Sequence, residues 1–401
     1  MSFQTGLAGL NASSRSLDVI GNNIANANTT GMKSSRAEFN DLIASSLGIG
    51  GGSGTQGGIG VAVGAIAQQF TQGNITITGN NLDVAINGGG FFQLTQSDGS
   101  TAYTRDGSFK LDKDGYIKTN TGAFVMGFDT DLTGKPTSTT ATKRQLPTTA
   151  PIAASATTLI GAEFNLDARA AVTAAGAVRT EGTAITLYDS QGSEVPLSMY
   201  FERVATTTTD NWDVYDAPTG GTKIASLSFG ADGTLTAPAA PVSFTVTNPH
   251  TVAGDITATI DFSKATQYGS SFAVSNLTQN GYAPGELTGL NINESGVITA
   301  RYSNGQTQYN GQLALADFRN VQGLQPLGGN AWSATFASGN ALVGSPGVGR
   351  MGAIRSGALE ESNVDLTAEL VNMMTAQRSY QANAQTIKTQ DQIMSTLVNL
   401  R

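Results

Sequence analysis

The chain contains no cysteine and a single histidine, His250. Without cysteine, disulfides, thiolate metal sites and cysteine catalysis are excluded. His250 follows a proline, a position typical of a surface loop, and it has no second histidine or cysteine with which to complete a zinc site. We therefore expect no metal ion and no cofactor.

Charge is also scarce, because Asp, Glu, Lys and Arg make up 13% of the 401 residues and the formal net charge is −8. An acidic chain of this kind is not expected to bind nucleic acid or an acidic membrane surface. No apolar run reaches the roughly 18 residues that a membrane span requires, so we expect no membrane insertion. The opening MSFQTGLAGL lacks a basic segment followed by a long apolar one, and we expect no cleaved secretory signal.

Motifs for catalysis are missing as well. The chain has neither a G-x-S-x-G elbow nor a phosphate-binding G-x-x-x-x-G-K-[ST] loop. A G-x-G-x-x-G match within 47–64 has no clear strand before it and no helix after it, as dinucleotide binding would need. The segment Asp112–Gly115 resembles the start of a calcium loop, but Ala123 stands where the closing glutamate belongs, so a hairpin turn is expected instead. We predict that the protein is not an enzyme and has no catalytic, cofactor-binding or metal-binding residues.

What the sequence does contain is an amphipathic helix at its start. Apolar residues recur there in steps of four and three, which predicts a helix with a heptad seam. Ser14 and Gly21 occupy the two remaining seam positions and would let a partner approach closely, and Gly31 is expected just past the helix end. The seam residues are Phe3, Leu7, Leu10, Leu17 and Ile24.

The far end repeats the pattern. Its rhythm predicts a helix from Leu366 to Leu400, roughly 50 Å long at about 1.5 Å per residue, and Ser362 with Asp365 resembles a capping box. The seam residues are Leu366, Leu370, Met373, Tyr380, Ala384, Ile387, Met394 and Val398.

Two terminal helices with strands between them indicate an antiparallel, coiled-coil-like pair. A pair of helices leaves apolar surface open, and we expect Leu17, Ile20, Ile24, Met373 and Met374 to stay partly exposed on a single chain. Such surface favours association with further copies, although a plain amphipathic helix docked on a domain core is the alternative. We predict that the subunit interface comprises both seams together with Ile20, Asn22, Asn23 and Asn26.

Between the helices the sequence changes to a period of two residues, with turn signals such as Ser-Asp-Gly and Lys-Asp-Gly that are typical of antiparallel hairpins. The fold class expected is α+β, mostly β, with two nested antiparallel β domains between the terminal helices. The predicted divisions are a helical assembly domain at 1–34 and 358–401, a glycine-rich connector at 35–76, a first β domain at 77–149 and 285–357, and an inserted outer β domain at 150–284. The glycine-rich part of the connector is expected to form an adaptable loop.

Three segments resemble one family. GLNASSRSLDVIGNNIANANTTGMKSSRAEF is similar to the N-terminal signature of the axial proteins of the bacterial flagellum, the rod and hook subunits. GALEESNVDLTAELVNMMTAQRSYQANAQTIKTQDQI resembles their C-terminal signature, and NNLDVAINGGGFFQL the motif that opens their first β domain. The large insertion, with LYDSQGSEVPLSMYF, resembles the hook-type members rather than the shorter rod subunits.

The resemblance implies a structural subunit of a short, curved helical tube that acts as a universal joint between motor and filament and as a channel for exported subunits. The terminal helices would line the inside, and the β domains would form outer layers. Implied partners are other copies of the chain, the distal rod, the hook cap protein, the hook–filament junction protein and the flagellar type III export apparatus. The implied location is the extracellular hook of the flagellum.

Two alternatives stay open. A distal rod subunit would form a straight drive shaft, and the glycine-rich stretch 48–60 is longer than is typical of hook subunits, a feature associated with that rod. A secreted β-rich adhesin or carbohydrate-binding module would share the Thr, Gly and Asn content but would have no use for paired terminal seams. We also expect that proline substitutions within Gly50–Gly58 alter the curvature of the tube.

Overall fold

The computed structural model describes residues 3–43, 58–147, 151–172, 178–204, 210–249 and 253–399, with side chains except at 43, 58–59 and 397–399. The chain divides into two compact units. Unit 1 comprises Met1–Thr149, Leu290–Ala300 and Gln308–Arg401, and unit 2 comprises Ala150–Gly289 and Arg301–Thr307. His250 and most of the 47–64 segment lie outside the described residues.

Both terminal helices are confirmed, as α1 Phe3–Ala25 and α2 Leu366–Asn399. The expected ends need two corrections. Gly31 does have a left-handed φ of 69°, but it lies in the turns that follow α1 rather than at the helix end. At the start of α2, the Asp365 carboxylate accepts hydrogen bonds from the N–H groups of Thr367 (2.9 Å) and Ala368 (3.2 Å), so Asp365 is the N-cap and the predicted Ser362 box is wrong.

Unit 1 consists of α1, α2 and short strands. The strands before the insertion are β1 Ser35–Ile43, β2 Gly58–Gln68, β3 Ile75–Ile77, β4 Val84–Asn87, β5 Phe91–Thr95, β6 Thr101–Thr104, β7 Phe109–Leu111, β8 Ile117–Thr119, β9 Phe124–Phe128 and β10 Thr142–Lys143.

Unit 2 is built from ten further strands. They are β11 Leu159–Asp167, β12 Glu181–Tyr188, β13 Glu194–Val204, β14 Asp210–Tyr215, β15 Lys223–Phe229, β16 Leu235–Ala237, β17 Val242–Val246, β18 Ile256–Asp261, β19 Thr266–Tyr268 and β20 Ala273–Gln279.

The return of the chain supplies the remaining strands. They are β21 Leu287–Ile292, β22 Val297–Tyr302, β23 Thr307–Leu313, β24 Leu315–Asp317, β25 Gln325–Gly328, β26 Ala331–Ser333, β27 Leu342–Gly344, β28 Ala353–Ser356 and β29 Ala358–Glu360, with a 3₁₀ turn at Val321–Gly323.

The main sheet of unit 1 runs in the order β21-β22-β23-β9-β5-β6-β26-β25. A core that includes Ile86, Phe92 and Leu315 packs against it, and the aromatic residues Phe91 and Trp332 belong to a second cluster. The expected hairpin at Asp112–Gly115 is confirmed, because β7 and β8 pair across it and Gly115 has a φ of 79°.

Unit 2 is a sandwich of two five-stranded sheets around one core. The hairpin expected near 182–204 is confirmed as β12 paired antiparallel with β13. Along β13 buried and more exposed residues alternate, which is the signature of a strand with one face on a core. Unlike the purely antiparallel arrangement expected, β11 pairs in parallel with both β18 and β19.

The segment expected to be a connector contains a β-hairpin, which the sequence analysis missed. β1 and β2 pair antiparallel from Ser35 opposite Gln68 to Ile43 opposite Gly58. The small residues of GIGVAVGAIAQ conceal the strand pattern, because glycine and alanine weigh little in a hydrophobic periodicity. The residues between the two strands, 44–57, lie outside the described part of the chain.

Candidate assembly interface

The two terminal helices pack side by side and run antiparallel. Residues early in α1 lie against residues late in α2, and the buried Asn23 near the end of α1 contacts Glu369 in the first turn of α2. Small residues form the contact on the α1 side. A Cβ added to Gly6 would lie 3.1 Å from Ile387, and one added to Gly9 would lie 2.8 Å from Asn383, so glycine permits this close approach of the two helices.

The face of α1 that contacts α2 is therefore not the apolar seam. On a helical wheel of about 100° per residue, the α1 seam lies roughly a quarter of a turn from the line of Gly6, Gly9 and Ser16. Phe3 and Leu7 are 53% and 44% exposed, and Leu10, Leu17 and Ile24 are half-buried. Nothing lies within 4 Å of a Cβ placed on Gly21, the next-to-last position of the seam. Ile20 was expected to be partly exposed, but it is buried and only 8% of its surface is exposed.

The seam of α2 is likewise left largely open. Leu366, Leu370 and Met374 are exposed, each stepping one turn further along the same face, and Leu370 is 51% exposed. Of the other predicted residues, Tyr380 and Met394 are exposed and Met373, Ala384 and Ile387 are half-buried, with Ile387 lying against Gly6. Val398 lies in the helix, but its side chain is outside the described ones.

Both seams lie on the same side of the helix pair. On a helical wheel, the centre of each seam lies roughly a quarter of a turn from the face that contacts the other helix. The rotation from contact face to seam has the same sense in both helices when each is followed from its N-terminus. Because the helices are antiparallel, that shared displacement brings both seams to one side. The β1–β2 hairpin covers the opposite side of α1, where a Cβ on Gly60 would lie 2.9 Å from the Ala8 methyl group.

The three asparagines predicted at the interface have different environments. Asn22 is exposed, whereas Asn26 is half-buried and donates from its side chain to the Asn22 carbonyl (2.9 Å). Asn23 is fully buried, so in this conformation it is not available to another copy. Its role is internal: its side chain accepts from Ser35 N–H (2.9 Å) and donates to the Ser35 carbonyl (2.8 Å).

A buried ionic cluster lies where both helices meet the strands, and the sequence analysis missed it. The carboxylate of Glu360, just before α2, accepts from Lys33 Nζ (2.5 Å), from Arg105 Nη1 (3.0 Å) and from Gly73 N–H (3.0 Å). We call Lys33, Arg105 and Glu360 the clamp. All three side chains are almost completely buried.

Further bonds surround the clamp, although Arg105 Nε is buried without a hydrogen-bond partner among the described residues. Lys33 Nζ also donates to the Thr71 carbonyl (2.7 Å), and Arg105 Nη2 donates to the Gly88 carbonyl (2.8 Å). Burial, partly offset by Glu360, lowers the pKa of Lys33 from its ordinary value. One signal in the sequence points to this residue: Lys33 is the only charged residue between Asp18 and Arg36.

Next to the clamp, Asn363 joins the chain after α1 to the chain before α2. Its side chain accepts from Ser34 N–H (2.7 Å) and donates to the Gln69 carbonyl (2.7 Å). Ser34 and Gln69 are also bonded to each other at the base of the β1–β2 hairpin (2.7 Å). We call the segments that directly follow α1 and directly precede α2 the helix roots. Both roots and the base of the β1–β2 hairpin are thus held in one hydrogen-bond network.

Among the described residues, no three His, Asp or Glu side chains are grouped closely enough to hold a metal ion. Within the same ranges, neither helix combines the length and the hydropathy that a membrane-spanning segment needs.

Comparison with known families places four matches along the chain. They are "Flagella basal body rod protein" at residues 3–33, "Flagellar hook protein FlgE/F/G D1 domain" at 85–160, "Flagellar basal body protein FlaE D2 domain" at 165–282, and "Flagellar basal body rod FlgEFG protein C-terminal" at 355–400. These matches define the class as an axial structural protein of the flagellum.

Curated relatives narrow the class. The chain is 43% identical over 419 residues to flagellar hook protein FlgE of Escherichia coli K12, with both chains fully covered. It is 36% identical to that of Rhizobium meliloti and 34% identical to that of Treponema pallidum, covering 100% of this chain and 98% and 99% of those proteins. The chain belongs to the flagellar hook protein family and is a structural subunit of the hook. The crystal structure of Helicobacter pylori flagellar hook protein FlgE2 shares the fold, with a TM-score of 0.55 and 16% identity over 71% of this chain and 100% of that one.

Proposed function

We propose that this hook subunit assembles through its terminal helices into a short curved tube, which acts as a universal joint for motor torque and as a channel for exported subunits. The observation that carries the proposal is the position of the two apolar seams. Apart from Ile387, which lies against Gly6, the helices use small and polar side chains for each other, and most of both seams stays open on the side away from the β1–β2 hairpin. Apolar surface left open along a helix pair favours burial against further copies.

The proposed interface follows from exposure. It excludes Ile20 and Asn23, which are buried within the chain, and it retains the exposed or half-buried seam positions and the two accessible asparagines. The proposed contact residues are Phe3, Leu7, Leu10, Leu17, Asn22, Ile24, Asn26, Leu366, Leu370, Met373, Tyr380, Ala384, Ile387 and Met394.

The scarcity of charge suits a joint that bends. Over its whole length α1 carries only Arg15 and Asp18, and these two pair with each other at 3.7 Å. Neighbouring copies would therefore slide without breaking strong ion pairs, while apolar contacts, which are not directional, would hold the tube closed.

The proposal also assigns a position in the tube to each domain of the chain. The helical segments 1–34 and 358–401 would form the inner tube, the first β domain the next layer and the inserted domain the outside. We further propose the distal rod, the hook cap protein, the hook–filament junction protein and the type III export apparatus as partners. Export without a cleaved signal would bring the chain to the extracellular hook, and the lack of cysteine suits passage as an unfolded chain.

A charge placed on the seam tests the proposal. We expect full-length Leu370→Asp to fold like the unchanged protein, since Leu370 is half exposed, but to form no tubes, because assembly would bury an unpaired carboxylate. Thr389→Asp, also exposed on α2 but nearly half a turn from the centre of the predicted seam, is the matched control and should still assemble. Electron microscopy of the purified proteins gives the result.

The outcomes separate the candidates. Curved tubes from the unchanged protein and none from Leu370→Asp would support the hook joint. Straight tubes would favour the distal rod. Equal assembly of Leu370→Asp and Thr389→Asp would contradict the seam as the interface.

A further inference from the structure

The clamp connects parts of unit 1 that are far apart in the sequence. Lys33 follows α1, Glu360 precedes α2 and the two are 327 positions apart, yet Nζ and Oε1 meet at 2.5 Å. Arg105 belongs to the strand-rich region of unit 1 at residues 84–128 and 308–344, which we call the β body. The clamp therefore contacts both helix roots and the β body at one point.

Backbone contacts at the same point leave little freedom. The Gly31 N–H donates to the Glu360 carbonyl (2.8 Å), and a Cβ on Gly31 would lie 2.5 Å from the backbone nitrogen of Asp106. A Cβ on Gly73 would lie 2.0 Å from the Glu361 carbonyl oxygen. Chain segments that touch backbone to backbone cannot slide past each other without breaking several hydrogen bonds together.

The chemistry of the clamp indicates that it fixes the positions of the chain segments it joins, rather than mainly adding to the stability of the fold. A buried ion group is often no more stabilising than apolar residues of similar volume, because its charges lose their hydration. What it adds is direction, since each bond of the carboxylate fixes a donor in distance and angle. The guanidinium is also held over the Phe91 ring, at 5.4 Å from its centre, which ties the clamp to the aromatic cluster of the β body.

We propose that Lys33, Arg105 and Glu360 are positioning residues that fix the roots of both terminal helices on the β body, so that the helix pair and the β body turn as one piece. The inference rests on the proposed function as a torque-transmitting joint. Bending of the tube then occurs between copies or elsewhere in the chain, and not by a shift of the helix roots against the β body.

Hydrogen exchange on the full-length subunit tests the clamp directly. In Lys33→Met the carboxylate loses one cation while the aliphatic stem is largely kept. We expect amides at the helix roots, such as Gly31, Ser34 and Gly73, to exchange at least about tenfold faster, with β4 and β5 protected as before. Arg36→Met is the matched control, because Arg36 forms an exposed ion pair with Glu38 near the clamp, and it should leave exchange at the roots unchanged.

Torsional stiffness of assembled tubes provides the second readout, which a role in stability alone would not change at a temperature where all subunits are folded. We expect Lys33→Met tubes to be at least about twofold softer, because loosened roots add a compliant element, and Arg36→Met tubes to match the unchanged protein. Glu360→Gln, which leaves two buried cations facing a neutral amide, should soften the tubes further.

Each result bears on the proposal. Unchanged exchange and unchanged stiffness in Lys33→Met would overturn it. Loss of protection throughout the β body would also overturn it, because the clamp would then be needed for the fold itself and not for positioning. If the unchanged protein forms no tubes, the proposed function fails, whereas the exchange experiment still tests the clamp.

Discussion

Asn23 takes the place of a backbone partner at the root of α1. It accepts from Ser35 N–H and donates to the Ser35 carbonyl, as a neighbouring strand would, and its amide also reaches Glu369 Oε1 at 3.2 Å. The Asn-rich stretch NNIANANTT suggested polar contacts between copies, but residue type alone does not distinguish Asn23 from Asn22. Only the direction in which each side chain points, set by the end of α1, makes one internal and the other exposed.

We expect Asn23→Asp to lower the free energy of unfolding by about 2–4 kcal/mol, because a carboxylate cannot donate to Ser35 and would lie beside Glu369 without hydration. Asn22→Asp introduces the same charge at an exposed position one residue earlier and should cost less than about 0.5 kcal/mol. Urea unfolding of the full-length subunit measures both. Equal midpoints for the two variants would contradict the internal role of Asn23.

Lys33 should impose its own pH dependence on stability. Burial lowers the pKa of Lys33 in the folded state, so between that lowered pKa and the ordinary lysine value of 10.5 the unfolded chain binds more protons than the folded one. The free energy of unfolding contributed by this residue therefore rises as pH increases through that window. We expect the difference in stability between the unchanged protein and Lys33→Met to shift in favour of the unchanged protein over this range, as followed by denaturant unfolding at several pH values. Parallel curves would contradict it.

Among the elements, the helices show both the strength and the limit of periodicity. The four-three rhythm predicted α1 and α2 nearly to their ends, because an apolar stripe needs helical geometry. It did not predict which face meets the partner helix. On α1, Gly6 and Gly9 supply that contact, and small residues do not register as a hydrophobic pattern. The same weakness concealed the hairpin of β1 and β2.

A substitution at Gly21 tests the stability of α1 and the use of its seam in assembly independently of each other. Nothing lies within 4 Å of a Cβ at this position, so we expect Gly21→Ala to raise helix stability by about 0.5–1 kcal/mol. If a neighbouring copy approaches closely at the seam, the same methyl group should impair tube formation. Asn11→Ala, an exposed change outside the seam that also favours helix, is the control. Circular dichroism and electron microscopy together give the answer, and normal assembly of Gly21→Ala would argue against close approach at this point.

For the whole molecule, sequence reasoning identified the order of the parts better than the contacts that join them. Hairpin signals are local, so turns such as the one at Gly115 were predicted from a few residues. The pairing of Lys33 with Glu360 spans most of the chain, and no local pattern relates two single charges so far apart. The parallel pairs of β11 arise in the same way, since they depend on strands that return after a long excursion.

Assembly of the whole molecule should respond to temperature more than to salt. The proposed contacts are apolar, and the helices that carry them have few charges, so ionic screening removes little attraction. We expect the critical concentration for tube formation, measured by sedimentation, to change less than about threefold between about 50 and 500 mM NaCl. Cooling should raise it, because the hydrophobic contribution weakens at low temperature. Tubes that dissolve at high salt and persist in the cold would instead indicate ion pairs between the β layers as the main source of cohesion.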